Sequence, residues 1–535
     1  MRRLGFEYLI YAVCGALLAL PFTFPKFWII AWLAPVPMLF IEAKRDRTMR
    51  HPLLGAYRRG LAFFYPYGGI MTFYWFSELY PLEFTGMGKC AALCVVLLGM
   101  FGLSLLQAFV WAFLFVVGDL LIRHIFSENG RKYAILLYPF IWVIFEWIQA
   151  QTWAGVPWGK LALGQTSCLP IIQSASLLGP YFVSFIIILT SSLIALASVL
   201  LSAKDPKKSL LPICAAVFIF AANVTFGSVR INLLEDQSSE NTVRVSVIQG
   251  NISSADKWAD DSFEYVCKTY ARLTKEAADG GAEIVVWPET ALPYRLNENK
   301  AVSEYVSSLA RDTETTILVG AFFRNSDGNL ENSIYMIKPD GTIAEDHYSK
   351  RHLVPFGEYV PMRNIIMTLV PPLNDIGMLD SDLEAGESAS VHDTDFGKIA
   401  SLICFDSIYE PLAYDAVRNG AELIAISTND SWFNDSSAVY EHNAHSVLRA
   451  VENGRYIVRA ANTGISSVIS PSGEIKDMLP PLVEGQISCN VTFSDKRTLY
   501  SEAGNILVPF SVFIFAASSV IIRMKGKRSN DGHCC

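Results

Sequence analysis

The chain has 535 residues, 52% of them hydrophobic and only 18% charged, with 43 Lys and Arg against 51 Asp and Glu. Soluble domains carry about 25% charged residues, so this shortfall points to membrane spans. The net charge of −8 lies mostly in the middle and late chain. That charge says little about nucleic acid, but no basic aromatic platform is visible, so nucleic acid is set aside as a partner.

From the N-terminus, Met1-Arg2-Arg3 precedes an apolar run over 9–24, and 27–41 continues apolar. No small-residue cleavage site intervenes, so the stretch reads as two short spans turning at 21–26 rather than as a signal peptide. Further spans are expected at 61–78, within the over-long 90–122, and at 133–150, 176–202, 210–228 and 504–522. Residues 230–500 have ordinary soluble composition. The expected organisation is a membrane domain over 1–229, a soluble domain over 230–500, and an eighth span with a basic tail over 501–535. Basic residues gather at the N-terminus, in 43–60, 123–132 and 203–209, and at the C-terminus. With eight spans these five segments fall on one side. The alternate loops carry mainly Lys26, Lys89 and Lys160. The positive-inside rule then places both termini in the cytoplasm and the soluble domain outside.

After the fifth span come Glu146-Trp147 and Trp153-Ala154-Gly155-Val156-Pro157-Trp158-Gly159-Lys160. Tryptophans here read first as an interfacial anchor belt, and Glu146 near a span end is a functional candidate. The alternative is that Glu146 and Trp158 line a path for lipid.

The soluble part alternates strands (243–250, 283–288, 316–323, 333–338, 399–404, 423–427, 456–460, 466–469) with helices at 261–279 and 438–453, an α/β layered pattern. Its chemistry gathers at strand ends. The apolar strand 399–404 ends in Cys404, followed by Phe405 and Asp406; the strand over 283–288 runs into Glu289; and 348–361 carries Lys350 and Glu358. A free thiol near pKa 8.5 is a poor nucleophile at neutral pH and needs a base or a nearby cation. Glu289 is the candidate base. The Lys350 ammonium, with the backbone N–H of Phe405, is the candidate oxyanion stabiliser. No Cys–His dyad is apparent, and His442 with His445, an HxxH pair, reads as helix-surface packing rather than as metal ligands. The ten cysteines show no CxxC pair and no zinc spacing, so no metal is expected, and no organic cofactor is implied. Cys267 and Cys489 leave a pairing open. Trp258 and Trp432-Phe433, in loops after strands, are either packing anchors or holders of an acyl chain.

The order Glu289, Lys350, Cys404, the segments EIVVWPET and KRHLVPFGEYVP, and the flanking hydrophobic runs resemble the nitrilase (carbon–nitrogen hydrolase) superfamily. The resemblance is to its membrane-bound apolipoprotein N-acyltransferase branch. It implies a four-layer α-β-β-α sandwich over roughly 243–495 and a catalytic triad of Glu289, Lys350 and Cys404, with Glu358 as a further carboxylate near the site. It also implies a membrane phospholipid as acyl donor and the N-terminal diacylglyceryl-cysteine amine of an apolipoprotein as acceptor. The enzyme would lie in the bacterial inner membrane, with the catalytic domain in the periplasm. The chain departs from that branch at Phe405-Asp406, where the family has Tyr-Glu. Two rival readings are a membrane-anchored amidase that passes the acyl group to water and a transporter with an external binding domain. The latter calls for paired charges inside the membrane, of which the sequence shows only Glu146.

Overall fold

The computed structural model describes residues 2–45, 51–77, 88–125, 128–151, 155, 157–236, 242–257, 262–369 and 382–517. The chain divides into a helical unit (Met1–Ala150, Val156–Arg230 and Asn505–Cys535) and an α/β unit (Gln151–Gly155 and Ile231–Gly504).

Five helical stretches of the first unit are long and apolar enough to cross a membrane: Gly5–Thr23, Pro25–Lys44, Lys89–Arg123, Pro180–Ser202 and Pro206–Glu235. The other three expected spans fall on helices that are shorter or more polar. Pro52–Ser77 carries Arg58 and Arg59, Tyr138–Gln149 has 12 residues and rises only about 18 Å, and Leu507–Ala517 reaches the edge of the described chain. Of these five, Pro180–Ser202 is the most buried, with 78% of its apolar stretch enclosed. The unit also holds ion pairs that hydropathy did not reveal. Glu42 accepts hydrogen bonds from Tyr11 Oη and Arg59 Nε, both at 2.7 Å. Asp119 lies 3.9 Å from Arg59 and 2.5 Å from Arg123. Glu42 and Asp119 border the basic segments, so these pairs tie helix ends together.

The α/β unit has twelve strands: β1 (Thr242–Gln249), β2 (Ile284–Val286), β3 (Thr316–Arg324), β4 (Leu330–Ile337), β5 (Ile343–Ser349), β6 (Val391–Thr394), β7 (Gly397–Ile403), β8 (Leu423–Thr428), β9 (Ile457–Ala461), β10 (Ser466–Ile469), β11 (Ile475–Leu479) and β12 (Gly485–Thr492). They form two six-stranded sheets, ordered β12-β1-β2-β3-β4-β5 and β11-β10-β9-β8-β7-β6. Each has a three-stranded parallel centre, β1-β2-β3 and β7-β8-β9, flanked by antiparallel strands. The central strands read as unbroken apolar runs because both their faces are covered. Helices Ser262–Asp279 and Lys300–Thr313 cover the first sheet, burying Val266, Tyr270, Val302 and Val306 against Ile248, Val285 and Ile317. Helices Glu410–Arg418 and Ser437–Asn453 cover the second. Between the sheets, Ser427 Oγ donates to Trp287 O at 2.8 Å and Ser466 Oγ to Gln249 Oε1 at 2.7 Å. The order of layers is helix, sheet, sheet, helix. β12 closes the first sheet on β1 over the full register from Thr242↔Thr492 to Gln249↔Gly485. Cys267 and Cys489 are both free.

Candidate active site

The site forms where strands from both sheets end. After β2 the chain turns through Trp287-Pro288-Glu289, and this turn lies directly on β3 at Gly320. A Cβ there would come 2.2 Å from Pro288 O, so only glycine permits the approach, and Gly320 O then accepts from Leu292 N at 3.0 Å. Glu289 is thereby fixed with both oxygens engaged. Oε1 accepts from Lys350 Nζ (2.9 Å) and Asn332 Nδ2 (2.8 Å), and Oε2 accepts from the backbone N–H of Asn429 after β8 (3.0 Å).

Lys350 follows β5, where its N–H donates to Asn332 O at 2.8 Å. Its buried ammonium reaches Glu289 Oε1 and Glu358 Oε1, both at 2.9 Å. Glu358 is oriented by the Val354 N–H (2.8 Å) and by Asn332 Nδ2 (3.1 Å), so the Asn332 amide bridges the two carboxylates. Burial works against the charge on Lys350, but Glu289 and Glu358 outweigh it and hold the ammonium well above the ordinary lysine range.

Cys404 caps β7 with φ +48°, a left-handed conformation that costs a non-glycine residue on the order of 1–3 kcal/mol. Several bonds hold it there. Ser407 Oγ donates to Cys404 O at 2.7 Å, and His442 Nε2 lies 3.2 Å from the same oxygen. Asp406 Oδ2 accepts from the Ile403 N–H (3.1 Å) and Tyr348 Oη (2.8 Å), and Oδ1 from the His352 N–H (2.8 Å). Asp406 thus buckles the turn at Cys404 to β5 and to the loop beyond Lys350; burial raises its pKa to about 6. Phe405 packs edge-on against Tyr409, which stacks on His352. Burial and the Glu289 carboxylate push the Cys404 thiol well above its ordinary range, with Lys350 pulling the other way. These surroundings favour the thiol over the thiolate.

A second cluster lies beside Cys404. Asp430 Oδ1 is 2.8 Å from His442 Nδ1, and Asp430 Oδ2 accepts from Arg459 Nη2 at 2.8 Å. Burial opposes the charge of Asp430, but His442 and Arg459 keep its carboxyl well below the usual range. Cys404, Asp430 and His442 present ligand-type atoms all within 4.8 Å of one another. These donors are already committed to protein partners, and the Arg459 guanidinium lies against the carboxylate, so the set fits a cation poorly.

The expected surface position of His442 and His445 is corrected: both are buried, because helix Ser437–Asn453 lays that face on β9 and β10. Trp432, 37% exposed, and Phe433 lie in the loop after β8, just beyond Asn429. Trp258 lies outside the described residues. Glu146 and Trp158 belong to the helical unit. Glu146 is buried and accepts from Trp142 Nε1 and the Leu161 N–H, both at 2.8 Å. Trp158 is buried in the turn Pro157–Gly159. The belt reading of Trp158 is corrected, since an interfacial anchor exposes its ring.

Two family descriptions match the chain: "Apolipoprotein N-acyltransferase N-terminal domain" over residues 14–193 and "Carbon-nitrogen hydrolase" over 244–499. A Geobacter metallireducens protein named apolipoprotein N-acyltransferase is 32% identical, covering 98% of this chain and 96% of that protein. The chain belongs to the apolipoprotein N-acyltransferase family. Family relatives of the same name from Gloeobacter violaceus (29% identical, 91% of this chain and 88% of that protein) and Vibrio cholerae (26%, 91% and 92%) align across most of their lengths. Among solved structures, an amidase from Nesterenkonia sp. matches 48% of this chain and 93% of its own at 16% identity and a TM-score of 0.37. A Saccharomyces cerevisiae member of branch 10 of the nitrilase superfamily matches 50% and 94% at 19% identity and 0.37.

In this member of the apolipoprotein N-acyltransferase family, several site residues escaped the sequence reading. Asn332 is a lone amide inside the strand LENSIYMI, and a polar residue that a buried strand retains was the available signal. Asp430 and Arg459 lie on a loop and a strand, and no local pattern joins them to each other or to His442 on its helix.

Proposed function

We propose that the chain carries out its family's reaction, the N-acylation of apolipoproteins, by two acyl transfers through Cys404. In the first, Glu289 takes the thiol proton and Cys404 Sγ attacks an ester carbonyl of a membrane phospholipid. The oxyanion is stabilised by Lys350 Nζ and the Phe405 N–H. Collapse expels the lysophospholipid alkoxide, which regains the proton from Glu289, and leaves a thioester. In the second, the amine of an N-terminal diacylglyceryl-cysteine attacks the thioester and Glu289 removes its proton. The thiolate departs and is reprotonated as the amide forms. Glu358 holds Lys350 in place for both steps, and Trp432 and Phe433 border the path of an acyl chain. The reaction needs no metal or organic cofactor.

Both substrates are lipids, which gives the helical unit its purpose. In this reading residues 1–229 and 501–535 form an eight-span domain of the bacterial inner membrane with both termini cytoplasmic. Residues 230–500 form the periplasmic catalytic domain. The distribution of Lys and Arg among the loops supports that orientation.

The observation that carries the proposal is the Lys350 ammonium held at 2.9 Å by both Glu289 and Glu358, at the sheet ends where Cys404 follows β7. The test is intact mass after incubation with a phospholipid of one defined acyl chain. A hydroxylamine-sensitive gain of one acyl group is expected on the wild type and absent in Cys404→Ala. A diacylated lipopeptide is expected to discharge it onto the peptide amine. Equally fast discharge to water favours the amidase reading, and no adduct with any phospholipid overturns the mechanism.

A further inference from the structure

Lys257 is a buried cation that the mechanism does not use. It ends the short helical turn Ser254–Lys257, a few residues beyond β1. Its side chain is only 1% exposed, yet among the described residues its Nζ meets no hydrogen-bond acceptor. Three other buried cations of the α/β unit have carboxylate partners: Lys350 with Glu289 and Glu358, Arg449 with Glu452, Arg459 with Asp430. A desolvated ammonium without an anion is costly.

The segment carrying Lys257 is tied to the site through side-chain amides. Asn462 Nδ2 donates to Ile252 O at 2.7 Å and to Asn429 Oδ1 at 2.8 Å, and the Asn429 N–H is the one that holds Glu289 Oε2. The charge acting on Lys257 is that of Glu289. Burial is the larger effect and lowers the lysine pKa to about 8. Among the described residues Lys257 is therefore a buried cation with no anion of its own, on a segment that Asn462 ties to the loop holding Glu289.

We propose that Lys257 binds the phosphodiester of the donor lipid and so orients the donor's ester at Cys404. The inference rests on the acyl-transfer reading above and names a binding group for its first substrate. Of the two substrates, the donor carries an anion a few bonds from its reacting ester. The acceptor presents an amine, which a lysine ammonium repels. The lysophospholipid takes its phosphate away when it leaves, which empties the subsite before the acceptor arrives.

Two measurements on the full-length protein in detergent test this. The first is the rate of thioester formation on Cys404 from a dipalmitoyl phosphatidylglycerol and from phosphate-free dipalmitoylglycerol. Lys257→Met is expected to slow the phospholipid about tenfold or more and to leave dipalmitoylglycerol within about twofold, and Lys257→Arg to restore most of the difference. Equal slowing of both donors, or of neither, overturns the proposal. The second is equilibrium binding of a lysophospholipid and of a monoacylglycerol to Cys404→Ala protein, with and without Lys257→Met. Here the lysine is expected to matter for the lysophospholipid alone, and its irrelevance to both ligands overturns the proposal even if no thioester ever forms. Excess inorganic phosphate is expected to leave the lysophospholipid bound; displacement assigns the cation to free phosphate and overturns the lipid assignment. A wild type that forms no thioester while Lys257 still governs lysophospholipid binding defeats the acyl-enzyme reading and spares this one.

Discussion

Two regions of the molecule each bury a cation between two carboxylates, and they are built differently. In the helical unit Arg59 lies between Glu42 and Asp119, and each carboxylate has a further cation, Arg45 at 3.7 Å from Glu42 and Arg123 at 2.5 Å from Asp119, with Glu7 pairing Arg45 in turn. In the sandwich Lys350 lies between Glu289 and Glu358, and what else those carboxylates accept comes from neutral donors: the Asn332 amide and the N–H groups of Asn429 and Val354. The first cluster has its charges matched and a guanidinium that does not give up its proton. The second places a single ammonium between its two carboxylates, close to the Cys404 thiol. Burial alone does not mark a reactive group; the balance of charge around it does.

Removing the two cations separates these roles. Lys350→Met is expected to slow acyl transfer by about a hundred- to a thousand-fold, read as thioester formation in protein that remains folded. Arg59→Met is expected to cost stability, on the order of 3–5 kcal/mol, and to leave the turnover of the surviving enzyme close to wild type. If Arg59→Met lowers turnover at unchanged melting temperature, the contrast between the clusters fails.

A further pair of substitutions separates the two carboxylates on Lys350. Glu289→Gln keeps a hydrogen-bonding group but cannot take a proton, so a loss of about a hundred- to ten-thousand-fold in rate is expected. Glu358→Gln leaves the base intact and is expected to lose about tenfold or less. Equal losses in single-turnover assays would mean that the two share the proton-transfer role.

Asp406 supplies the mildest test, in pH dependence. Burial raises its pKa to about 6, so the folded chain holds this proton more tightly than the unfolded chain does. The stability this group contributes is complete below its unfolded pKa and is lost as pH rises through about 6. Wild type is thus expected to gain melting temperature from this group between pH 7 and pH 5. Asp406→Asn is expected to show a flatter profile, and identical slopes would remove Asp406 from the account.

Much of this arrangement is legible in the sequence, for identifiable reasons. Cys404 and Glu289 follow strands buried on both faces, which show as apolar runs ending in a polar residue, and the chain order of Glu289, Lys350 and Cys404 supplies the rest. β5 is not legible: its sequence IAEDHYS lies at a sheet edge with Glu345 and Asp346 outward, so no apolar alternation survives. Helix Lys300–Thr313 did have a signal, in Val302, Val306, Leu309 and Ala310 at helical spacing with Asn299 as its cap. His442 illustrates the limit of periodicity, which says that a helix has faces but not which neighbour each one meets. The bonds of Asn332, Asp430 and Arg459 arise only once the two sheets are face to face.

The pairing of β1 with β12 bears on how the protein is born. Residues 242–249 find their antiparallel partner only at 485–492, so the first sheet stays incomplete while nearly all of the sandwich is translated. Glu289 and Lys350 emerge on a sheet with an open edge, and such edges invite mispairing. The first sheet of a nascent chain therefore keeps an open edge until the last strand leaves the ribosome. A message cut short before Gly485 yields a product that carries every proposed catalytic side chain and still lacks the strand that closes the first sheet.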